Sequence, residues 1–209
     1  GFRRVLFRSE AIALLLSTLR GKTAAIIGFG PLGGHVARLL AAFGMRLVGV
    51  NRSLRNGSGV AVAMRSLEEL PAVLAESDHV ILTLPGTAET RGLFSDREFA
   101  LMKPGACLVN VGRGSCLDEA ALCRALEAGR LRGAGLDVFT EEPLSMASPL
   151  RILPNVLVTP HSSAMAPEYM ELALEEFMGN LRRFLAGEPL ENTVGGAAAA
   201  EAVSGKASP

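Results

Sequence analysis

The sequence has no excess of charge of either sign. Its 209 residues hold 21 Lys plus Arg against 21 Asp plus Glu, so it carries no electrostatic footprint for nucleic acid or for an anionic membrane. Cysteine is scarce. Cys107, Cys116 and Cys123 make an odd set whose spacings match no zinc pattern, which argues against a disulfide framework and a metal site and suits a reducing, cytoplasmic setting. No apolar run approaches the roughly 20 residues that a membrane span needs. There is no internal repeat. What remains is 49% apolar and 20% charged residues, the balance of a globular domain with a sizeable core.

The N-terminus imitates a signal peptide, with Arg3, Arg4 and Arg8 ahead of the apolar residues 11–16. The apolar stretch is short, no small-x-small cleavage site follows, and Gly21 and Lys22 lead straight into a strand, so secretion is not expected. Residues 2–9, FRRVLFRS, read as the translation of a sequencing-library adapter. Residues 1–9 are therefore expected to be foreign to the natural chain, which would continue upstream.

From Thr23 onward, short apolar runs alternate with amphipathic stretches, the signature of βαβ units and a parallel sheet. Residues 23–27 form a near-continuous apolar strand, as in a sheet covered on both faces. Helical periodicity covers 32–43, and 46–50 is the second strand. A weaker helix spans 67–74, with Ser66 and Glu69 as a capping box and Pro71 as a break. Further strands are expected at 79–84, 106–110, 136–139 and 156–159. Helices are expected at 96–102, from an Asp118 cap to about 128, and at 167–186. The Gly/Ala tail after Val194 reads as disordered. The fold class is thus α/β, a doubly wound parallel sheet.

Gly28-Phe29-Gly30-Pro31-Leu32-Gly33 fits G-x-G-x-x-G between a strand and a helix, the context that a dinucleotide-binding loop requires. Gly28 permits a tight turn, Gly30 lets backbone approach a pyrophosphate, and Gly33 lets the helix pack on the strand. Amides at the helix N-terminus would face the phosphates. The second strand ends Val50-Asn51-Arg52-Ser53. No carboxylate is there to accept a ribose 2′-OH, whereas Arg52 offers charge and a bidentate fork, and Asn51 and Ser53 offer polar groups. This set favours NADP over NAD; the alternative is that Arg52 is a solvated loop cation.

Three polar residues follow strand-like segments: Arg113, Glu142 and His161. In an open α/β sheet, ligands collect beyond the C-terminal strand ends. Reducing a 2-keto acid needs a cation for the carboxylate and a proton donor for the oxygen. Arginine supplies the first. Histidine supplies the second, and an adjacent carboxylate favours the imidazolium and fixes its tautomer. Singly, each residue has a plain alternative, as a turn cap, a solvated acid or a structural histidine. Together, downstream of the glycine loop, they form a complete set.

The chain resembles the D-isomer-specific 2-hydroxyacid dehydrogenases, the family of glyoxylate/hydroxypyruvate reductase and D-3-phosphoglycerate dehydrogenase. The likeness runs from about Leu19 to Val194 through GKTAAIIGFGPLG, LTLPGTAETRGLF, MKPGACLVNVGRG, LDEAALCRALEAGRLRGAGLDVFTEEP, SPLRILPNVLVTPH and NLRRFLAGEPLENTV. It implies an NAD(P)-binding Rossmann domain at 21–165 and a helix at 166–194 returning toward a substrate domain. Residues 10–20 would be the remnant of an interdomain helix.

By resemblance, Arg113 matches the substrate-carboxylate arginine, His161 the general acid/base and Glu142 its partner. Pro31 and Leu32 match backbone at the pyrophosphate, and Leu84, Pro85 and Thr90 a loop beside the cofactor. Val111 and Gly112 match backbone near the nicotinamide ribose, and Asp137 a residue near the carboxamide. The implied activity is hydride transfer between NAD(P)H and a small 2-keto acid, in a protein that forms a homodimer when intact. Most of the substrate domain that closes the cleft has no counterpart here, so weak activity or none is expected of this chain. Arg151 stands where many relatives carry Trp. The alternative function is a dinucleotide-sensing interaction protein like the family's transcriptional co-repressors.

Overall fold

A computed structural model describes residues 18–191 and residue 193. The expected adapter segment at 1–9, most of the interdomain remnant at 10–20 and the tail at 195–209 lie outside the described residues. The chain divides into two compact units, one reaching Ser163 and the other starting at Ala164.

The first unit is an all-parallel, seven-stranded sheet. Its strands are β1 Thr23–Ile27, β2 Arg46–Val50, β3 Ala63–Arg65, β4 His79–Leu82, β5 Ala106–Asn110, β6 Leu131–Leu136 and β7 Val156–Val158. The spatial order is β3-β2-β1-β4-β5-β6-β7. The order reverses between β1 and β4, which opens a crevice at their carboxyl ends. This is the doubly wound Rossmann arrangement. Alternate residues of β1 feed two cores. Ala25 and Ile27 join Leu74, Leu108 and Leu122 on one face, and Ala24 and Ile26 join Ala37 and Leu47 on the other. All five β1 residues are buried, as strands covered on both faces require.

Among the described residues of this unit the α-helices are α1 Pro31–Ala42, α2 Leu70–Glu76, α3 Asp96–Leu101 and α4 Glu119–Glu127. The Ser66–Glu69 capping box forms, closing a 3₁₀ turn over Leu67–Glu69. Pro71 sits in the first turn of α2, where its missing N–H costs nothing. The Asp118 side chain accepts the amides of Ala120 and Ala121 to start α4.

Three expectations change. Strand β3 was not foreseen, because three residues at a sheet edge carry no hydrophobic run. The strand expected at 136–139 lies earlier, at Leu131–Leu136, paired with β5 from Ala106↔Leu131 to Asn110↔Leu136. Glycines at 133 and 135 disguise it; a Cβ at Gly133 would come within 2.8 Å of the Asn155 carbonyl oxygen. Strand β4 stops at Leu82 rather than at 84, ahead of Pro85.

The second unit contains helix α5, Tyr169–Ala186, closed by Gly187 at φ 69°. The Asn180 side chain brackets the Glu191 backbone, donating to its carbonyl and accepting its amide. Among the described residues no helix is long and apolar enough to cross a membrane, and no group of three metal-ligating side chains occurs.

Candidate active site

The crevice at the switch point is a cavity of about 840 Å³. Its floor is the glycine loop between β1 and α1. Gly28 has φ 92°, and a Cβ there would meet the Leu84 amide nitrogen at 2.9 Å. The loop after β4 is therefore pressed against the turn. Thr83 donates its hydroxyl to the Gly28 carbonyl at 2.8 Å, fastening the two loops together. A Cβ at Gly33 would press on Ile26 and Thr83, which accounts for glycine where the helix crosses the strand.

Gly30 differs. Its φ is an ordinary −108°, and the nearest atom to an added Cβ lies 4.0 Å away. Nothing inside the protein requires glycine at 30. It lines the cavity, so the missing side chain leaves room for something approaching from outside. Helix α1 begins here with no side-chain cap and no acidic residue in its first turn. Uncapped first-turn amides and the positive end of a 12-residue helix form an anion site. These features fit a dinucleotide pyrophosphate.

Of the residues expected to bind cofactor, the cavity is lined by Gly28, Gly30, Pro31, Leu32, Asn51, Arg52, Ser53, Leu84, Pro85, Thr90 and Gly112, with Arg113 at its edge. Gly33, Val111, Asp137, Glu142 and His161 are not among its walls. Two polar members turn inward to hold backbone. Asn51 donates to the Phe29 carbonyl at 2.8 Å and accepts the Leu54 amide at 2.7 Å. It ties the glycine loop to the loop after β2, where Leu54 takes the left-handed φ of 52°. Arg52 and Ser53 are left exposed at the rim. Thr90 accepts the Thr87 amide and donates to the Pro85 carbonyl, so it tightens the loop after β4. Glu89 also lines the cavity and was not anticipated. Hydrogen bonding from Thr87 and from its own amide, and more weakly the charge of Arg52, hold its carboxyl below the ordinary range.

Arg113 follows β5. Its Nη1 donates to the Gly112 carbonyl at 2.7 Å. The turn is tightly confined. A Cβ at Gly112 would lie 2.6 Å from the Leu84 carbonyl oxygen, and one at Gly114 would lie 1.9 Å from the Phe139 carbonyl carbon. Residues 92–94 run alongside the segment that leaves this turn, with Gly92 N–H donating to the Ser115 carbonyl and Phe94 N–H to the Cys116 carbonyl. The Cys116 thiol points at the Pro85 carbonyl, 3.6 Å away, and burial pushes its pKa up. The loop after β4 and the turn that carries the arginine are thus in direct contact.

His161 follows β7 and Glu142 lies in the loop after β6. Nδ1 of His161 is 2.6 Å from Oε2 of Glu142, and Oε1 of Glu142 accepts the Phe139 amide at 2.9 Å. The hydrogen bond with His161, aided by the Phe139 amide, holds the Glu142 carboxyl below the usual carboxylate range against the opposing effect of burial. An ionised Glu142 makes Nδ1 the donor and leaves Nε2 to face outward. The histidine sits at φ 53°, a left-handed conformation that surroundings must enforce.

Asp137 enforces it. The carboxylate is 4% exposed. It accepts the Thr159 hydroxyl at 2.5 Å, the Ser162 amide at 2.9 Å and the Ser163 amide at 3.0 Å. Burial would raise its pKa, but contacts from Ser163 and Thr159 and from the backbone outweigh it and hold the carboxyl far below the ordinary range. Asp137, which resemblance places near the nicotinamide carboxamide, also binds the turn that carries His161. Arg151 donates to the Ser145 and Leu144 carbonyls and so pins its own loop.

An α/β sheet with a glycine loop at its switch point, and with Arg113, Glu142 and His161 at three neighbouring strand ends, is the arrangement of a dinucleotide-binding domain. Residues 5–163 match the D-isomer specific 2-hydroxyacid dehydrogenase, NAD binding domain family, and the chain belongs to that family. It is 44% identical over 152 residues to a glyoxylate reductase of Aeropyrum pernix, covering 72% of this chain and 44% of that protein. A D-isomer specific 2-hydroxyacid dehydrogenase of Xanthobacter autotrophicus Py2, solved with NADPH and MES, is 40% identical. It superposes with a TM-score of 0.78 over 86% of this chain and 73% of that one. An NADPH-dependent glyoxylate/hydroxypyruvate reductase of Sinorhizobium meliloti, solved with NADP and sulfate, is 36% identical with a TM-score of 0.78, over 89% and 61%. The chain spans about half the length of the curated relatives it matches.

Proposed function

We propose that this chain provides the cofactor half of an NADP-preferring reductase of small 2-keto acids of the glyoxylate or hydroxypyruvate type. The observation that carries the reading is the His161–Glu142 pair at 2.6 Å, which follows β7 and β6, with Arg113 after the adjacent β5 lining the crevice that holds the glycine loop. The dinucleotide, when bound, supplies the hydride. Pro31, Leu32 and the first-turn amides of α1 receive its pyrophosphate, and Gly112 and Val111 offer backbone nearby. Arg52 and Ser53 meet a 2′-phosphate, with Asn51 holding their loop in place.

Arg113 binds the substrate carboxylate and polarises the keto oxygen. His161 gives a proton from Nε2 to that oxygen, and Glu142 steadies the ring through Nδ1. In the intact protein a substrate domain excludes water, and the homodimer sets the cleft. The glyoxylate and hydroxypyruvate reductases among its relatives support the substrate class. No feature favours the co-repressor-like alternative.

The test follows NADPH oxidation with glyoxylate and with hydroxypyruvate in the chain rejoined to a substrate domain, where the parent turns over, and compares that protein with its Arg113→Ala variant. Turnover that falls at least a hundredfold in the variant supports the assignment. Equal rates in both proteins refute it.

A further inference from the structure

We propose that Asn110 is the positioning residue that sets Arg113, a role that rests on the reading of Arg113 as the carboxylate-binding group. Asn110 ends β5 and is 0% exposed. Both ends of its amide grip the turn that follows. Nδ2 donates to the Arg113 carbonyl at 3.1 Å, and Oδ1 accepts the Gly112 amide at 3.1 Å. Its own carbonyl accepts the Asp137 amide at 3.0 Å. One buried side chain therefore closes the 110–113 turn, and its backbone joins that turn to the strand end from which Asp137 holds His161.

The chemistry requires an amide. The site presents one N–H to be accepted and one carbonyl to be donated to, in opposite directions, and a buried polar group left unmatched is costly. Alanine removes both bonds. An ionised aspartate still accepts from Gly112 but turns a second oxygen toward the Arg113 carbonyl oxygen. A protonated aspartate restores the pattern, because one oxygen accepts while the O–H donates. Burial and the facing carbonyl favour that neutral form. The Asn110→Asp variant is thus expected to lose the turn at neutral pH and regain it in mild acid. Gly112 and Gly114 leave the turn no slack toward Leu84 and Phe139, so a loosened 110–113 segment swings Arg113 rather than the loops around it.

The experiment uses the full chain with NADPH and oxamate, a 2-keto-acid mimic, as the probe. Amide hydrogen exchange is followed by NMR in wild type, Asn110→Ala and Asn110→Asp, and oxamate and NADPH affinities are measured by calorimetry. The expected result is Gly112 exchange at least tenfold faster in Asn110→Ala, with Leu108 and Val109 of β5 unchanged. Oxamate should bind at least tenfold more weakly to Asn110→Ala than to wild type, with both proteins saturated with NADPH. Asn110→Asp should match Asn110→Ala at pH 7.5 and recover Gly112 protection toward about pH 5. Unchanged Gly112 exchange, an equal rise along all of β5, or full oxamate affinity in a loosened turn would each overturn the proposal. Arg113→Ala is the separating control. If it leaves oxamate affinity intact, the reading of Arg113 fails, while the exchange and acid-recovery results still judge Asn110.

Discussion

Asp137→Asn is the most informative single change in the first unit. The native carboxylate accepts three hydrogen bonds in a buried setting, from Thr159 Oγ1, Ser162 N and Ser163 N. Bonds to a charged acceptor contribute about 1.5–3 kcal/mol, against about 1 for neutral pairs. Asparagine can keep the two bonds on one oxygen, weakened, but it turns an NH₂ group toward the Ser163 amide. Two weakened bonds and one unsatisfied buried donor sum to a loss of about 2–4 kcal/mol. Relief from burying a charge does not cancel this, because the depressed pKa shows that the folded state favours the anion over the neutral acid. For a domain of this size the melting temperature should fall by about 5–15 °C.

The pH dependence has a definite sign. A carboxyl whose folded pKa lies below its unfolded value of about 3.9 contributes stability that is complete above that pH. The contribution is lost as pH falls toward the folded pKa. Urea unfolding followed by circular dichroism at pH 7, 5 and 3 should show a gap between wild type and variant that is constant from pH 7 to 5 and narrows at pH 3. A gap below about 1 kcal/mol at pH 7, no larger than one neutral bond, would refute the reasoning. So would a gap that ignores pH altogether.

Two further outcomes follow from the same geometry. Glu142→Gln leaves one oxygen for two donors, Phe139 N–H and His161 Nδ1, so a downfield imidazole N–H resonance of His161 should be present in wild type and absent in the variant; its survival would show that the pair does not depend on the second oxygen. Arg52→Ala should weaken NADPH binding about tenfold, the low end of a charge-assisted bond for an exposed arginine. NADH should bind as before, and equal losses for both cofactors in fluorescence titration would remove Arg52 from the 2′-phosphate site.

The nucleotide-binding half of the fold is written locally, and so it can be read. β1, the glycine loop and α1 follow from an apolar run, turn glycines and a periodic helix, all within twenty-odd residues. The edges are not written locally. β3 forms because β2 offers an open edge to three residues with no pattern of their own. β6 is fixed by its register on β5 and by the room its glycines leave. Site residues divide in the same way. Glu142 and His161 could be read as partners because a carboxylate beside an imidazole is specific chemistry, and the structure pairs them. Asn51 and Thr90 line the crevice, and their bonds to backbone were not legible, since an amide or hydroxyl finds main-chain partners in any sequence. Thr83 and Asn110 gave no signal, because their partners are main-chain atoms, which every sequence supplies.

The contrast among the glycines has a consequence for how the chain responds to mutation. At Gly28, Gly112 and Gly114 a methyl group would strike the protein's own backbone, so purging for folded molecules alone is enough to keep those positions. At Gly30 a methyl group would strike nothing within the chain. A population selected only for solubility and fold would drift there, and only a demand for bound dinucleotide would hold the position. Two glycines two residues apart in one loop thus record different histories, one answering to the architecture and the other to the cargo.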